Sequence, residues 1–133
     1  MPRLPYPWED VFDKGIEGIA PEGLTQTALE DLQGTDLIAA DGTYLGKVTN
    51  DPYSQESLMN QYGPYGNPYN ASSIFNKYGP YGNPYSGYSP YNQYTRTPPH
   101  FSRDGQLVAY LTANEFVTPR VDPHAFHAWL KRT

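Results

Sequence analysis

The sequence predicts a mainly β protein: a compact four-unit rosette of short strands and turns, with short N-terminal helices and one C-terminal helix. Two observations carry the β assignment. The octad YGPYGNPY stands at residues 62–69 and recurs letter for letter at 78–85, a spacing of 16. Asp41-Gly42 and Asp104-Gly105 each divide two short apolar runs, and Asp-Gly in that setting is the strongest local signal of a β-hairpin. A third observation, an Asp-Pro pair at 122–123 followed by Phe126, Trp129 and Leu130 at helical spacing, supplies the closing helix.

Residues 1–35 read as a helical docking arm. The stretch WEDVFDKGIEGI at 8–19 places Trp8, Val11, Phe12, Ile16 and Ile19 on one helical stripe. Gly15 and Gly18 weaken that helix by about 1 kcal/mol each relative to Ala, so it depends on packing against something else. A second short helix is expected near 26–32, where Thr27 and Glu30 have capping-box spacing.

Residues 36–122 form the repeat domain. Strands are expected near 36–40 paired with 43–49, and near 99–103 paired with 106–112, each turning at Asp-Gly in a type I′ conformation that requires φ > 0 at both central residues. The second hairpin repeats the first: ADGTYLGKVTNDPY at 40–53 aligns with RDGQLVAYLTANEF at 103–116 at a constant offset of 63. Within it Gly46 matches Ala109, two small residues that allow close approach.

Between the hairpins, DPYSQESLMN at 51–60, NPYNASSIFN at 67–76 and NPYSGYSPYN at 83–92 stand in register at a spacing of 16, and Asn114-Glu115-Phe116 is a fourth, degenerate copy. Asn before Pro is pushed out of the α region and Gly after Tyr permits φ > 0, so each octad reads as a pair of turns around a short extended piece. Ser57, Ser73, Ser89, Asn60, Asn76 and Asn92 sit where side chains cap such turns. Asp41, Gly42, Pro68, Tyr69, Pro84, Tyr85, Asp104 and Gly105 are the residues expected to define the fold. With 13 Tyr and few aliphatic residues in the repeats, the core is expected to be aromatic, with about two-thirds of the repeat tyrosines buried.

Residues 123–133 form the C-terminal helix, packed on the domain or on a partner. Asp122 is its N-cap, Pro123 suits its first position, and Lys131 and Arg132 complement the dipole at its end.

The motif order DGTYLGKVTNDPYSQES, the two octads, YSPYN and DGQLVAYLTANEF resembles that of a group of small bacterial proteins of unassigned activity described as a four-fold β-flower. The resemblance covers about residues 36–122, with Asp51 in place of Asn in the first copy and Glu115 in place of Pro in the fourth. It implies the rosette and no particular reaction, ligand or catalytic residue.

Composition narrows the function classes. Net charge is −5, and residues 51–98 contain only Lys77 and Arg96 as basic groups, which argues against nucleic acid as a partner. Cysteine is absent, no run approaches the roughly 20 apolar residues of a membrane span, and the first 20 residues lack the pattern of a classical signal peptide. The default expectation is a soluble, cytoplasmic protein.

His124 and His127, with Asp122 and His100 as further candidate ligands, are the one constellation with metal-like spacing, but a helix face accounts for it equally well, and no metal or cofactor is expected. The serines lie in turns and no nucleophile motif occurs. The expected function is therefore a non-enzymatic structural or interaction module in a protein assembly or homo-oligomer, with Trp8, Phe12, Ile16, Tyr65, Tyr81 and Trp129 as candidate contacts. One alternative is a carbohydrate or small-ligand module using exposed Tyr rings. Another is an enzyme or metal protein using His100, His124 and His127.

Overall fold

The computed structural model describes residues 29–131. They form one mixed five-stranded sheet and one helix, with a long strandless segment between the second and third strands. The strands are β1 (Asp36–Ile38), β2 (Tyr44–Lys47), β3 (His100–Arg103), β4 (Gln106–Leu111) and β5 (Arg120–Val121), and the helix is α1 (Pro123–Leu130). Sheet order is β2-β1-β3-β4-β5, antiparallel except for the parallel β4–β5 pair. The expected stripe of Trp8, Phe12 and Ile16 lies outside the described residues. Of the helix expected near 26–32, Leu29 and Glu30 are helical and lead into a hydrogen-bonded turn.

The two hairpins are near copies. β1 and β3 pair at the sheet centre through Leu37 and Phe101, both fully buried. Leu37 pairs with Gly46, as Phe101 pairs with Ala109, and in each hairpin the register then skips one residue, Leu45 in β2 and Val108 in β4. A bulge of this kind leaves one residue unpaired and bends the strand, and here it falls at positions 63 apart. The parallel contacts correspond as well: Lys47 bridges Ser57 as Tyr110 pairs with Arg120.

The turns themselves differ. Asp104 and Gly105 both have positive φ, 53° and 81°, as a two-residue type I′ turn demands. In the first hairpin only Gly42 does, at φ 90°, and Ala39 pairs with Thr43 around a three-residue loop. The expected type I′ turn fails there because Asp41 is committed elsewhere. Its Oδ1 accepts from Thr43 N at 3.0 Å and its Oδ2 accepts from the Tyr81 hydroxyl at 2.8 Å. The extra loop residue explains why β1 and β3 correspond at an offset of 64 while β2 and β4 correspond at 63.

Residues 51–95 run as consecutive tight turns. Backbone N–H groups at 54, 57, 60 and 63 donate to the carbonyl three residues back, and that of Asn67 donates to Gly63, four back. The same series follows through 70, 73, 76, 79 and 83, then through 86, 89, 92 and 95. Four steps of three and one of four make up the 16-residue spacing. Side chains lock the steps: Asn60, Asn76 and Asn92 each donate Nδ2 to the carbonyl six residues earlier, at 3.0, 3.1 and 3.1 Å. Ser57, Ser73 and Ser89, all fully buried, accept from the N–H two residues on. The octad glycines do not take the positive φ expected after Tyr; Gly66 and Gly82 are required by proximity instead, since an added Cβ would stand 2.2 Å from the carbonyl oxygens of Asn60 and Asn76 respectively.

The core overturns the expectation of buried tyrosine. It consists of Leu29, Leu32, Leu37, Leu45, Val48, Leu58, Ile74, Leu111, Val121 and Leu130 with Ala39, Ala109, Phe101, Phe126 and Trp129. No tyrosine is among its buried members. The turn segment adds Leu58 and Ile74 to this core and packs Met59, Tyr65, Phe75 and Tyr81 against it half-buried. Full burial of a Leu or Ile side chain contributes roughly 1.5–3 kcal/mol, so the aliphatic residues of the sheet and the aromatic face of α1 carry the stability instead.

α1 begins as its sequence suggests: Asp122 Oδ2 accepts from Ala125 N at 2.9 Å and Pro123 opens the first turn. Phe126 packs on Phe101 with ring centroids 5.1 Å apart, so the helix is docked on the sheet of its own chain.

Candidate functional site

Seven aromatic side chains project from the turn segment and from the loop after β4: Tyr53, Tyr62, Tyr69, Tyr78, Tyr85, Tyr94 and Phe116, each between 80% and 95% exposed. All seven have one local cause. The backbone N–H of each donates to the Oδ1 of an Asp or Asn two residues earlier, at 2.9–3.0 Å. Such an Asx turn fixes the backbone beneath the ring and directs the side chain outward.

Tyr65 and Tyr81, the two repeat tyrosines singled out as contacts, follow Gly-Pro instead and behave differently. Tyr65 packs edge-on against Tyr44 at 5.2 Å, and Tyr81 anchors the first hairpin through Asp41 and Thr43 Oγ1. Both are half-buried against the core. The Thr43 N–H, and then the Tyr81 hydroxyl, hold the Asp41 carboxyl below the usual carboxylate range. Trp129 is in the core, 4% exposed, with Nε1 donating to Glu30 Oε2 at 3.0 Å. Trp8, Phe12 and Ile16 are outside the described residues. Of the fold-defining positions, Tyr69 and Tyr85 N–H groups close their Asx turns while Pro68 and Pro84 sit on the surface.

The exposed set was thus legible in a signal that composition hides. Asx two positions before an aromatic residue marks a projecting ring, and Gly-Pro before Tyr marks a packed one.

Three grooves mark the described surface, and the third is lined by two of the seven rings. The first, about 380 Å³, lies between α1 and the turns and includes Leu58, Gln61, Pro68, Phe75 and His127. The second, about 410 Å³, includes Ile74, Lys77, Pro84 and Tyr91 at positions 16 higher, again with His127 and Phe75 and now with His124. Phe75 and His127 stack at 4.8 Å and form the wall the two grooves share. The third, about 360 Å³, is lined by Gln93, Tyr94, Arg96, Asn114, Glu115 and Phe116. Gln61, Lys77 and Gln93 occupy equivalent positions, so each groove receives one long polar side chain from the same place in its unit.

The histidines are engaged with rings. His124 lies 5.2 Å from Tyr91, and His100 is 6.3 Å from Tyr110 across the β3–β4 pair. Burial lowers the His127 pKa below its ordinary value, with the positive charges of Lys131 and His124 adding to the effect. Burial, and then the Asp122 carboxylate, pushes the Tyr91 phenol up to about 12. Burial likewise raises Tyr44, whose hydroxyl donates to Asp36 Oδ1 at 2.8 Å. Among the described residues, no group of three or more His, Asp or Glu side chains is placed to hold a metal ion. No described helix is long and apolar enough to cross a membrane.

Compared with protein families, with curated proteins and with solved structures, the chain matches none.

Proposed function

We propose that the protein is a non-enzymatic interaction module, a turn scaffold that presents rigid aromatic side chains to a partner. The observation that carries the reading is the set of seven rings, each held outward by its own Asx turn. Exposed aromatic surface costs solubility unless a partner covers it. Tyr suits recognition because it offers large contact area with few torsions to freeze. The side chains engaged here are not those of the sheet core, so the display and the fold are separable.

The reading includes closure of the turn units into the four-unit rosette. In its favour, Asx-turn aromatics recur at Tyr53, Tyr69, Tyr85 and Phe116, and the two hairpins that bracket them share bulges and parallel contacts at an offset of 63.

A variant with Tyr53, Tyr62, Tyr69, Tyr78, Tyr85 and Tyr94 all replaced by Ser tests it. Because these rings are solvent-exposed, the variant should keep the circular dichroism spectrum and melting behaviour of the parent. It should lose the proteins and polysaccharides that the immobilised parent retains from an extract of the source cells. Equal retention by both would refute the proposal.

A further inference from the structure

We infer that the groove between Tyr94 and Phe116 binds a sugar ring of a neutral glycan, and that the aromatics of the preceding units extend the site along the chain of that glycan. The inference rests on the interaction-module reading and names its ligand class. Five observations converge on it.

Tyr94 and Phe116 line one cleft of about 360 Å³ while being 81% and 95% exposed. Rings that are held at a cleft yet uncovered offer flat apolar faces, and the axial C–H groups of a pyranose pack on such faces. Both rings rest on fixed backbone: Tyr94 N–H donates to Asn92 Oδ1 at 2.9 Å and Phe116 N–H to Asn114 Oδ1 at 3.0 Å. Asn114 is itself locked, its Nδ2 donating to Thr95 O at 2.8 Å. Pre-formed contact surface of this kind lowers the ordering cost of binding.

The same cleft is rimmed by Gln93, Arg96 and Glu115, exposed side chains that supply amide, guanidinium and carboxylate groups to ring hydroxyls. A few polar groups around an apolar floor is the usual composition of a small-ligand cleft. Charge then selects among ligands. Residues 51–98 hold two acids, Asp51 and Glu56, and two bases, Lys77 and Arg96, so the turn segment has no net charge with which to attract an anionic or cationic polymer. Finally, the elements recur: Gln61 and Lys77 stand 32 and 16 residues before Gln93, each beside an exposed ring, Tyr62 or Tyr78. Exposed rings at a fixed period, leading up to the one cleft that Tyr94 and Phe116 line, fit a ligand that is itself periodic.

The test uses the full chain in titration calorimetry against neutral trisaccharides and hexasaccharides of glucan, mannan, xylan and chitin type. Heparin oligosaccharide and a proline-rich peptide serve as competing ligand classes. The expected result is binding of at least one neutral hexasaccharide with little salt dependence. That hexasaccharide should bind at least tenfold tighter than its trisaccharide, since a longer chain engages a second ring set. Tyr94→Ser with Phe116→Ser should weaken binding roughly tenfold or more with an unchanged melting temperature. If no neutral oligosaccharide binds while the parent still retains proteins that the six-Tyr variant loses, the glycan inference is overturned and the module reading stands. If neither chain retains any ligand, both fall. Preference for heparin or for the peptide over every neutral sugar also overturns it.

Discussion

Gly82→Ala should destabilise the protein, whereas Gly87→Ala, five residues on, should not. Neither glycine has positive φ, so backbone strain is not at issue at either position. At such positions Gly→Ala ordinarily stabilises by roughly 0.4–1 kcal/mol, because the unfolded chain loses freedom. At Gly87 the nearest atom to the new Cβ is Thr97 Oγ1 at 3.7 Å, an ordinary contact. At Gly82 the Cβ would lie 2.2 Å from Asn76 O and 2.6 Å from Ile74 O, both backbone atoms that cannot rotate away. Forced overpacking costs about 1–3 kcal/mol and sometimes more, and the collision involves two carbonyls of the turn series, so the upper part of that range applies. After the entropic gain, a net loss of about 2 kcal/mol is expected. For a body of this size it lowers the melting temperature by roughly 6–12 °C, against no change or a slight rise for Gly87→Ala. Differential scanning calorimetry of the two variants measures the contrast. Gly66→Ala should match Gly82→Ala, because its Cβ meets Asn60 O at the same 2.2 Å. If Gly82→Ala melts with or above Gly87→Ala, the turn packing described for these units is wrong.

Other expectations follow from single contacts. Asn76→Asp keeps the acceptor for Tyr78 N–H but replaces the donor to Asn70 O with a second oxygen, so it should cost about 1–3 kcal/mol in urea denaturation. Asp122→Ala removes the cap of α1 and should cost about 0.5–2 kcal/mol by the same assay. His127 binds a proton less readily in the folded protein than in the unfolded chain. Its contribution is therefore present in full above the ordinary value of 6.5 and is lost as pH falls through the lower folded value. Denaturation midpoints measured downward from neutral pH should show that loss, and His127→Gln should diminish it.

Much of the sheet and helix was legible in the sequence because their signals are local. Asp104-Gly105 fixes its own turn, and Asp122-Pro123 followed by Phe126, Trp129 and Leu130 fixes the start and buried face of α1. Asp41-Gly42 misled because its turn depends on Tyr81, 40 residues away, whose hydroxyl occupies the Asp41 carboxylate. The exposure of the tyrosines was misread for a different reason. Composition treats Tyr as core material, but the Asx turns at Asn60, Asn76 and Asn92 direct the rings of Tyr62, Tyr78 and Tyr94 outward, and Leu58 and Ile74 reach the core instead. The grooves were not legible at all: the wall formed by Phe75 and His127 joins segments more than 50 residues apart, and nothing in either segment announces the other.

The first two grooves also tie the number of turn units to the length of a helix. The unit that includes Leu58 and Pro68 meets α1 at His127, Leu130 and the capping residue Lys131, and the unit that includes Ile74 and Pro84 meets it at His124 and His127, about one helical turn earlier. A duplication of 16 codons in the gene would insert another unit with its own internal hydrogen bonds, yet that unit would lack a stretch of helix to cover its apolar residue. A unit inserted among the first two would therefore leave an apolar residue uncovered unless α1 lengthened by three or four residues, whereas the third unit, whose groove is lined by Ala113, Asn114, Glu115 and Phe116 and not by α1, places no such demand on the helix.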